Sequence, residues 1–317
     1  MIQKRTIGIV GTGQVGVAAA YAVFIAGLCS DLILVDKNYK KAEGEAMDLT
    51  HGQAFAGSVQ VRPGGFEDLA TAQLVIITAG AATVAGESRL SLLARNVDIF
   101  CKIIAQLDRH SPESVLIIAS NPVDIMVYFS QMKSHRPHTR IIGTGTMLDT
   151  ARFRALLGQY YEVDPRSVHA YIVGEHGDSE VPLWNSARIG GVPVVENTVM
   201  GKPYDQAAME RLFERVRSAA YEIIARKGYT SSAIGLSIAR LASAILNDQK
   251  SVLPVSRRLT GEYGIEDVCL SIPSIVGIHG MQDTLLPELS MEEHERLVRS
   301  AGILKSSFTT LGTMSPV

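Results

Sequence analysis

The sequence predicts an α/β protein: a doubly wound parallel sheet followed by an α+β domain. Three observations carry this. Short apolar runs rich in β-branched residues alternate with longer helical stretches through the first half of the chain. A glycine-rich turn joins the first apolar run to the first helical one. Beyond about residue 145 the alternation gives way to a mixed order of helices and strands. Near-continuous apolar strands interleaved with helices are the mark of a parallel sheet covered on both faces.

The predicted strands of the first half are 6–10, 32–35, 74–78, 115–119 and 140–143. Each is a bare apolar run such as Ile33-Leu34-Val35, with no polar alternation to suggest a solvated face. Between them, 15–25, 41–49, 90–107 and 123–131 have helical spacing. In the second half, 168–173 reads as a strand, and 206–226 and 231–246 as helices. Strands follow at 251–255 and 268–273, and 291–311 reads as a closing helix. The boundary falls at Gly145, giving domains 1–145 and 146–317. No Pro/Ser-rich linker divides them, so they are expected to pack closely.

Bulk composition narrows the function classes. Of 317 residues, 46% are hydrophobic and 20% charged, as in an ordinary soluble globular protein. A net charge of −2 offers no basic excess to follow a nucleic-acid backbone. The three cysteines, Cys29, Cys101 and Cys269, are too scattered for a disulfide framework or a metal-ligand set, so neither is expected. The segment from Met1 to Arg5 has no signal-peptide pattern, and no apolar run approaches the ~20 residues of a membrane span. A cytoplasmic protein is expected.

Gly11-Thr12-Gly13-Gln14-Val15-Gly16 follows the first strand and opens a helix. This is G-x-G-x-x-G in the context that gives it meaning. Gly11 permits the tight turn, Gly13 lets the backbone approach a pyrophosphate, and Gly16 lets the helix pack closely on the strand. The helix N-terminus supplies free N–H groups for the phosphates. Asp36 closes the second apolar run, 20 residues after Gly16, where an acidic side chain accepts from adenosine ribose hydroxyls. A carboxylate there repels a 2′-phosphate, so the predicted cofactor is NAD rather than NADP.

Gly174-Glu175-His176-Gly177-Asp178-Ser179 places a histidine among small and polar residues at a strand end. Hydride transfer to a ketone leaves an alkoxide that needs a proton, and an imidazole titrating near neutrality suits both directions. A catalytic imidazole works better with a carboxylate on its other nitrogen. Asp149 and Arg152, three apart on a predicted helix, share a face. Asp149 can orient His176 while Arg152 takes a substrate carboxylate through two parallel hydrogen bonds. Spacing alone equally fits an ordinary surface ion pair. Asn121 follows a parallel strand at its carboxyl end, where ligands bind in such sheets; a turn asparagine is the plain alternative.

Together these motifs resemble the lactate/malate dehydrogenase family. The glycine loop with Asp36, Thr78-Ala79-Gly80, Arg89, Ser120-Asn121-Pro122-Val123-Asp124, Leu148-Asp149-Thr150-Ala151-Arg152-Phe153 and Gly174–Ser179 occur in the family's order over essentially the whole chain. The resemblance implies a Rossmann domain and a reversible NADH-dependent reduction of a small 2-oxo acid to the L-2-hydroxy acid. It makes His176 the acid/base, Asp149 its partner and Arg152 the carboxylate anchor. Arg89 would close over the substrate on a mobile loop and polarise the carbonyl. Thr230 and Thr83 would join Arg152 and Asn121 around the substrate. Gly11, Gly13, Gln14, Val15, Gly16, Asp36, Thr78, Ala79, Gly80, Asn121 and Ile234 would line the NAD site.

Glu180-Val181-Pro182-Leu183-Trp184 looks like the lactate branch. Six residues ahead of the loop arginine, family members carry Gln for pyruvate or Arg for oxaloacetate; here that position is Thr83, followed by Val84 and Ala85. A second substrate carboxylate would be buried unpaired, costing several kcal/mol, so malate is disfavoured. The small loop, with Ala219 and Ala220, should admit pyruvate or a bulkier apolar 2-oxo acid, as in the 2-hydroxyisocaproate-type relatives. A non-catalytic NAD-binding regulator is the reading from another class, and the intact set Arg89, Asn121, Asp149, Arg152 and His176 argues against it. The resemblance also implies a homotetramer. Arg154 and His169 match an intersubunit site for fructose 1,6-bisphosphate in some bacterial members, or are solvated interface residues.

Overall fold

The computed structural model describes residues 5–81 and 88–312, with the side chains of Arg89 and of 309–312 outside the description. Six strands form its parallel part: β1 (Thr6–Val10), β2 (Asp31–Val35), β3 (Gln60–Pro63), β4 (Leu74–Ile77), β5 (Val115–Ile118) and β6 (Ile141–Gly143). They lie in the order β3-β2-β1-β4-β5-β6. The crossovers carry α1 (Gln14–Ile25), α2 (Tyr39–His51), α3 (Arg89–His110) and α4 (Val123–Lys133). This is the doubly wound arrangement that the alternating runs imply.

The strands sort their side chains by parity. Ile7, Ile9, Leu32, Leu34, Leu74, Ile76, Val115 and Ile117 face one core, shared with α1 and α2. Val10, Ile33, Val35, Val75, Ile77, Leu116 and Ile118 face the other, shared with α3 and α4. With both faces covered, every residue of β1, β2, β4 and β5 is buried, which is why these strands read as unbroken apolar runs.

The second half continues with α5 (Met147–Tyr161), then the short strands β7 (Val168–His169), β8 (Ile172–Val173), β9 (Val181–Pro182), β10 (Arg188–Ile189) and β11 (Val192–Pro193). After them come α6 (Gln206–Lys227), α7 (Ser232–Leu246), β12 (Ser251–Thr260), β13 (Glu266–Gly277), β14 (Gly280–Thr284) and α8 (Met291–Gly312). Two expectations need correction. The predicted strand 168–173 is two strands: β7 pairs with β10, and β8 with β9. The segments 251–255 and 268–273 are parts of a long hairpin, β12 on β13, with β14 beside it. That hairpin does not form a sheet of its own. It extends the parallel sheet antiparallel to β6, with Ser256 opposite Gly143. A side chain at residue 143 would meet the Ser256 Cβ at 2.9 Å, so the strands join at a glycine.

β3 escaped prediction because it is a half-exposed edge strand, with only Val61 apolar and Pro63 at its end. α7 lies against α1 so closely that a Cβ on Gly235 would stand 2.7 Å from the Ala18 carbonyl oxygen. A third core, of Phe153, Leu157, Tyr161, Met209, Leu212 and Val216, joins α5 to α6. No helix among the described residues is long and apolar enough to cross a membrane.

Candidate active site

The glycine turn does three separate physical jobs. Gly11 has φ of +102° and sits so close to β4 that a Cβ would lie 2.6 Å from the Ala79 nitrogen. A Cβ on Gly16 would lie 1.9 Å from the Gly11 carbonyl oxygen, so only glycine lets α1 start there. A Cβ on Gly13 would meet nothing within 4 Å, leaving its outer face open for a ligand. No side chain caps α1, so the N–H groups of Gln14 and Val15 remain to meet an anion. Thr78 supports the turn from β4, its hydroxyl donating to the Gly11 carbonyl at 2.7 Å. Ala79 and Gly80 follow Thr78 in the loop beyond β4, next to the turn.

Asp36 stands immediately after β2, bonded to the same turn. Its Oδ2 accepts the Thr12 N–H at 2.7 Å and the Thr12 hydroxyl at 2.9 Å, while Oδ1 accepts the Asn38 N–H at 2.9 Å. Partial burial would raise this carboxyl, but these hydrogen bonds outweigh it and hold the group below the ordinary value. It is therefore a fixed anion beside the pyrophosphate cradle. The open face at Gly13, the uncapped helix and this anion fit a dinucleotide whose ribose carries free hydroxyls.

The second cluster gathers around Asp149 in the first turn of α5. Gly145, at φ +47°, lets the chain turn beneath β12 and β13, where a Cβ would stand 2.1 Å from the Ser271 hydroxyl. The Ser271 hydroxyl accepts the Thr146 N–H at 3.0 Å, and the Thr146 hydroxyl donates to the Ile172 carbonyl at 2.6 Å. The start of α5 is thereby locked to β13 and β8. Asp149 is 3% exposed and uses both oxygens. Oδ2 meets His176 Nδ1 at 2.6 Å, and Oδ1 accepts from Arg152 Nη1 at 2.9 Å.

The His176 loop is pinned from three sides. Gly174 pairs with Ser271 of β13, both backbone N–H···O distances being 2.9 Å. The Glu175 N–H donates to the Ser300 hydroxyl of α8 at 2.9 Å. The His176 N–H donates to Asp124 of α4 at 2.8 Å. The imidazole is a quarter exposed on its side-chain surface, so it faces an opening. Burial works against its charged form, but the Asp149 carboxylate outweighs burial and raises the ring to about 9. Asp149 is held low in turn: burial raises it, and His176 and Arg152 together pull it down further. The site thus holds an imidazolium ready to give a proton from Nε2, beside a guanidinium with donors left for an anion.

Asn121 lies exposed in the loop after β5, on the side of the sheet where the strands end. Thr230 and Ile234 are half-buried at the junction of α6 and α7, with Ile234 packed on the core under α1. Arg89 is the first residue of α3, capped by Ser88, whose hydroxyl accepts the Ser91 N–H at 3.1 Å. The loop that precedes it, residues 82–87, and its own side chain lie outside the described residues. Thr83 lies outside the described residues.

Comparison with known proteins decides the family. Residues 5–143 match the family model "lactate/malate dehydrogenase, NAD binding domain", and residues 146–313 match "lactate/malate dehydrogenase, alpha/beta C-terminal domain". This chain belongs to the lactate/malate dehydrogenase family. An L-lactate dehydrogenase of Salinibacter ruber is 55% identical over 316 residues, 99% of this chain and 100% of that protein. An L-lactate dehydrogenase of Thermus aquaticus is 47% identical over 96% of this chain and 99% of its own length. A solved structure, the minor L-lactate dehydrogenase of Enterococcus mundtii in a ligand-bound form, superposes with a TM-score of 0.94 at 42% identity, covering 97% of this chain and 98% of that one.

Two buried acids beside the Asp149 cluster were not singled out from the sequence. Asp124 is 2% exposed and bridges His176 to Ser256. Its acidic character at a helix start reads as an ordinary N-terminal charge. Glu180 is 7% exposed, and its Oε1 has no hydrogen-bond partner among the described residues. Burial first, and then the Asp149 charge, push it up to about 9, so it is a neutral acid at neutral pH. Asp149, His176 and Glu180 bring potential ligand atoms within 4.8 Å of one another. Asp149 already serves Arg152 and His176, and the adjacent guanidinium opposes a cation.

Proposed function

We propose that this chain is an NAD-dependent L-lactate dehydrogenase that interconverts pyruvate and L-lactate. One observation carries the reading: a single buried carboxylate, Asp149, holds a proton-donating imidazole and an anion-binding guanidinium side by side. NADH, when bound, supplies the hydride. The chain's residues do the rest. Gln14 and Val15 offer N–H groups to the pyrophosphate, and Asp36 accepts from the adenosine ribose. Arg152 binds the substrate carboxylate and Asn121 bonds the reacting carbonyl oxygen. His176 then delivers its proton from Nε2 to that oxygen, while Nδ1 stays on Asp149. Lactate oxidation runs the same path backwards, with neutral His176 taking the hydroxyl proton.

The names of the relatives support lactate over the 2-hydroxyisocaproate-type and malate alternatives. Thr83, with no cation for a second carboxylate, also argues against oxaloacetate. A kinetic panel of pyruvate, oxaloacetate, 2-oxobutyrate, 4-methyl-2-oxopentanoate and phenylpyruvate tests this. Pyruvate should lead and oxaloacetate trail, and Thr83→Arg should raise kcat/KM for oxaloacetate. Efficient oxaloacetate reduction by the unaltered chain would overturn the specificity reading.

The proposal extends to organisation. The chain divides at residue 145 into NAD-binding and catalytic domains, acts in the cytoplasm and assembles as a homotetramer. Arg154 sits two residues after Arg152 on α5, its Nε donating to the Ala170 carbonyl at 2.9 Å and its guanidinium stacked 5.0 Å from the Tyr171 ring centre. His169 is exposed on β7, with Arg188 opposite on β10. The guanidinium groups of Arg154 and Arg188, with His169 between the two elements, support an anionic effector such as fructose 1,6-bisphosphate at this face.

A further inference from the structure

Asp124 is a buried ionisable group to which the proposed chemistry gives no task. It stands in the first turn of α4, three residues after Asn121. A carboxyl at such depth persists only where donors meet it. Its Oδ2 accepts the His176 backbone N–H at 2.8 Å, and its Oδ1 accepts the Ser256 hydroxyl at 2.5 Å. One side chain therefore joins the helix start behind Asn121, the interior strand β12 and the loop that presents the imidazole.

We infer that Asp124 is a positioning residue that sets His176 in register with Asn121, and so with the carbonyl that both are to contact. This rests on the reading of His176 as acid/base. The Asp149 bond fixes the direction of the ring, but it leaves the backbone beneath the ring to other anchors. Two of these, at Gly174 and Glu175, tie the loop to β13 and α8, away from the cofactor loop. Among the described residues, the Asp124 bond is the one that ties it to the segment carrying Asn121. Misplacing reacting groups by about 1 Å costs on the order of 10²-fold in rate, and the loss falls on the chemical step rather than on binding.

Asp124 also acts through charge. The groups facing it are His176 and Glu175 of the loop, Ser256 of β12 and the buried Cys269 thiol of β13. Burial pushes its carboxyl up to about 6, with the Ser256 and His176 bonds opposing, so it is ionised at neutral pH. As an anion it helps to stabilise the imidazolium.

The test uses the full chain with Asp124→Ala and Asp124→Asn. An asparagine keeps an oxygen for the His176 N–H and turns its amide to Ser256, whose hydroxyl can accept instead. Asp124→Ala should lower kcat for pyruvate reduction by about 10–100-fold, within the range for misplaced groups, with pyruvate KM and NADH affinity little changed. Asp124→Asn should restore most of kcat, yet move the alkaline limb of the pH profile to lower pH, because the shape survives and the charge does not. A structural role alone would not move that limb. The inference is overturned if Asp124→Ala keeps its kcat, if asparagine fails to rescue it, or if the alkaline limb stays in place. If the unaltered enzyme shows no alkaline limb at all, it is the reading of His176 that fails.

Discussion

At the scale of single residues, the site is a problem of charge placed where water is scarce. Asp149 is buried, yet it is held low because His176 and Arg152 each take one of its oxygens. The same pairing lifts His176 to about 9, against the pull of burial. Pyruvate reduction needs the imidazolium, so kcat/KM for pyruvate should hold through neutrality and fall as pH rises past about 9; lactate oxidation should climb over the same range. An inflection at or below the ordinary 6.5 would contradict the Asp149 pairing. Linkage gives the matching stability effect. The folded pKa lies above the unfolded one, so this stabilisation is complete below about 6.5 and is lost as pH rises through about 9. Replacing Asp36 with Ser should weaken NADH and improve relative use of NADPH, because an anion that repels a 2′-phosphate is removed; a wild type that already prefers NADPH would refute that. His176, Asp149, Arg152 and Asp36 were legible in sequence because their chemistry admits few residue types at those places. Asp124 and Glu180 were not. What gives Asp124 its task is a contact 52 residues along the chain, and no local pattern encodes that.

At the scale of elements, the strands that read clearest are those buried on both faces. β1, β2, β4 and β5 show no polar alternation, and the structure buries every residue in them. The predicted helix 90–107 is α3, which runs on to His110 because its end is closed by a distant side chain. Arg136 donates to the carbonyls of Leu107 at 2.9 Å, Ser111 at 2.6 Å and Pro112 at 3.2 Å, and its Nη1 lies 2.8 Å from Asp108. Such a cap is invisible to spacing, since the arginine lies beyond β5 and α4 in the chain. Arg136→Met should cost about 3 kcal/mol, the lower end for a broken buried pair, because Asp108 keeps donors from Ser134 and His135. Denaturant midpoints would read that loss, and kcat should be unchanged, since α3 brings only its far end to the site. The long hairpin of β12 and β13 was half seen. Its visible parts are the apolar stretches; the missed continuation of β12 is polar, with Ser256 and Arg257 buried all the same, and β13 begins with the exposed Glu266 and Asp267.

At the scale of the whole molecule, the sheet crosses from one half of the chain to the other at Gly143 and Ser256, and that junction brings the two clusters together. The cofactor turn, the Asn121 loop and α5 each follow a strand of the parallel sheet, at the carboxyl edge where ligands of such folds bind. The association of strands from both halves was not legible, because pairing a glycine with a distant serine leaves no periodic trace. Assembly belongs to this scale too. Sedimentation at low protein concentration should report a tetramer, and millimolar fructose 1,6-bisphosphate should strengthen it, because a ligand held between subunits favours the associated state. No response in sedimentation or in KM would remove the effector, while the tetramer stands or falls on sedimentation alone. The most direct test of the whole reading is the near-ultraviolet absorbance of NADH after pyruvate is added, for the unaltered chain and for His176→Ala. NADH should be consumed in step with L-lactate formed, and the alanine variant should turn over ~10²–10⁴-fold more slowly while binding NADH equally well. No consumption by the unaltered chain, or near-normal turnover in the variant, would contradict it.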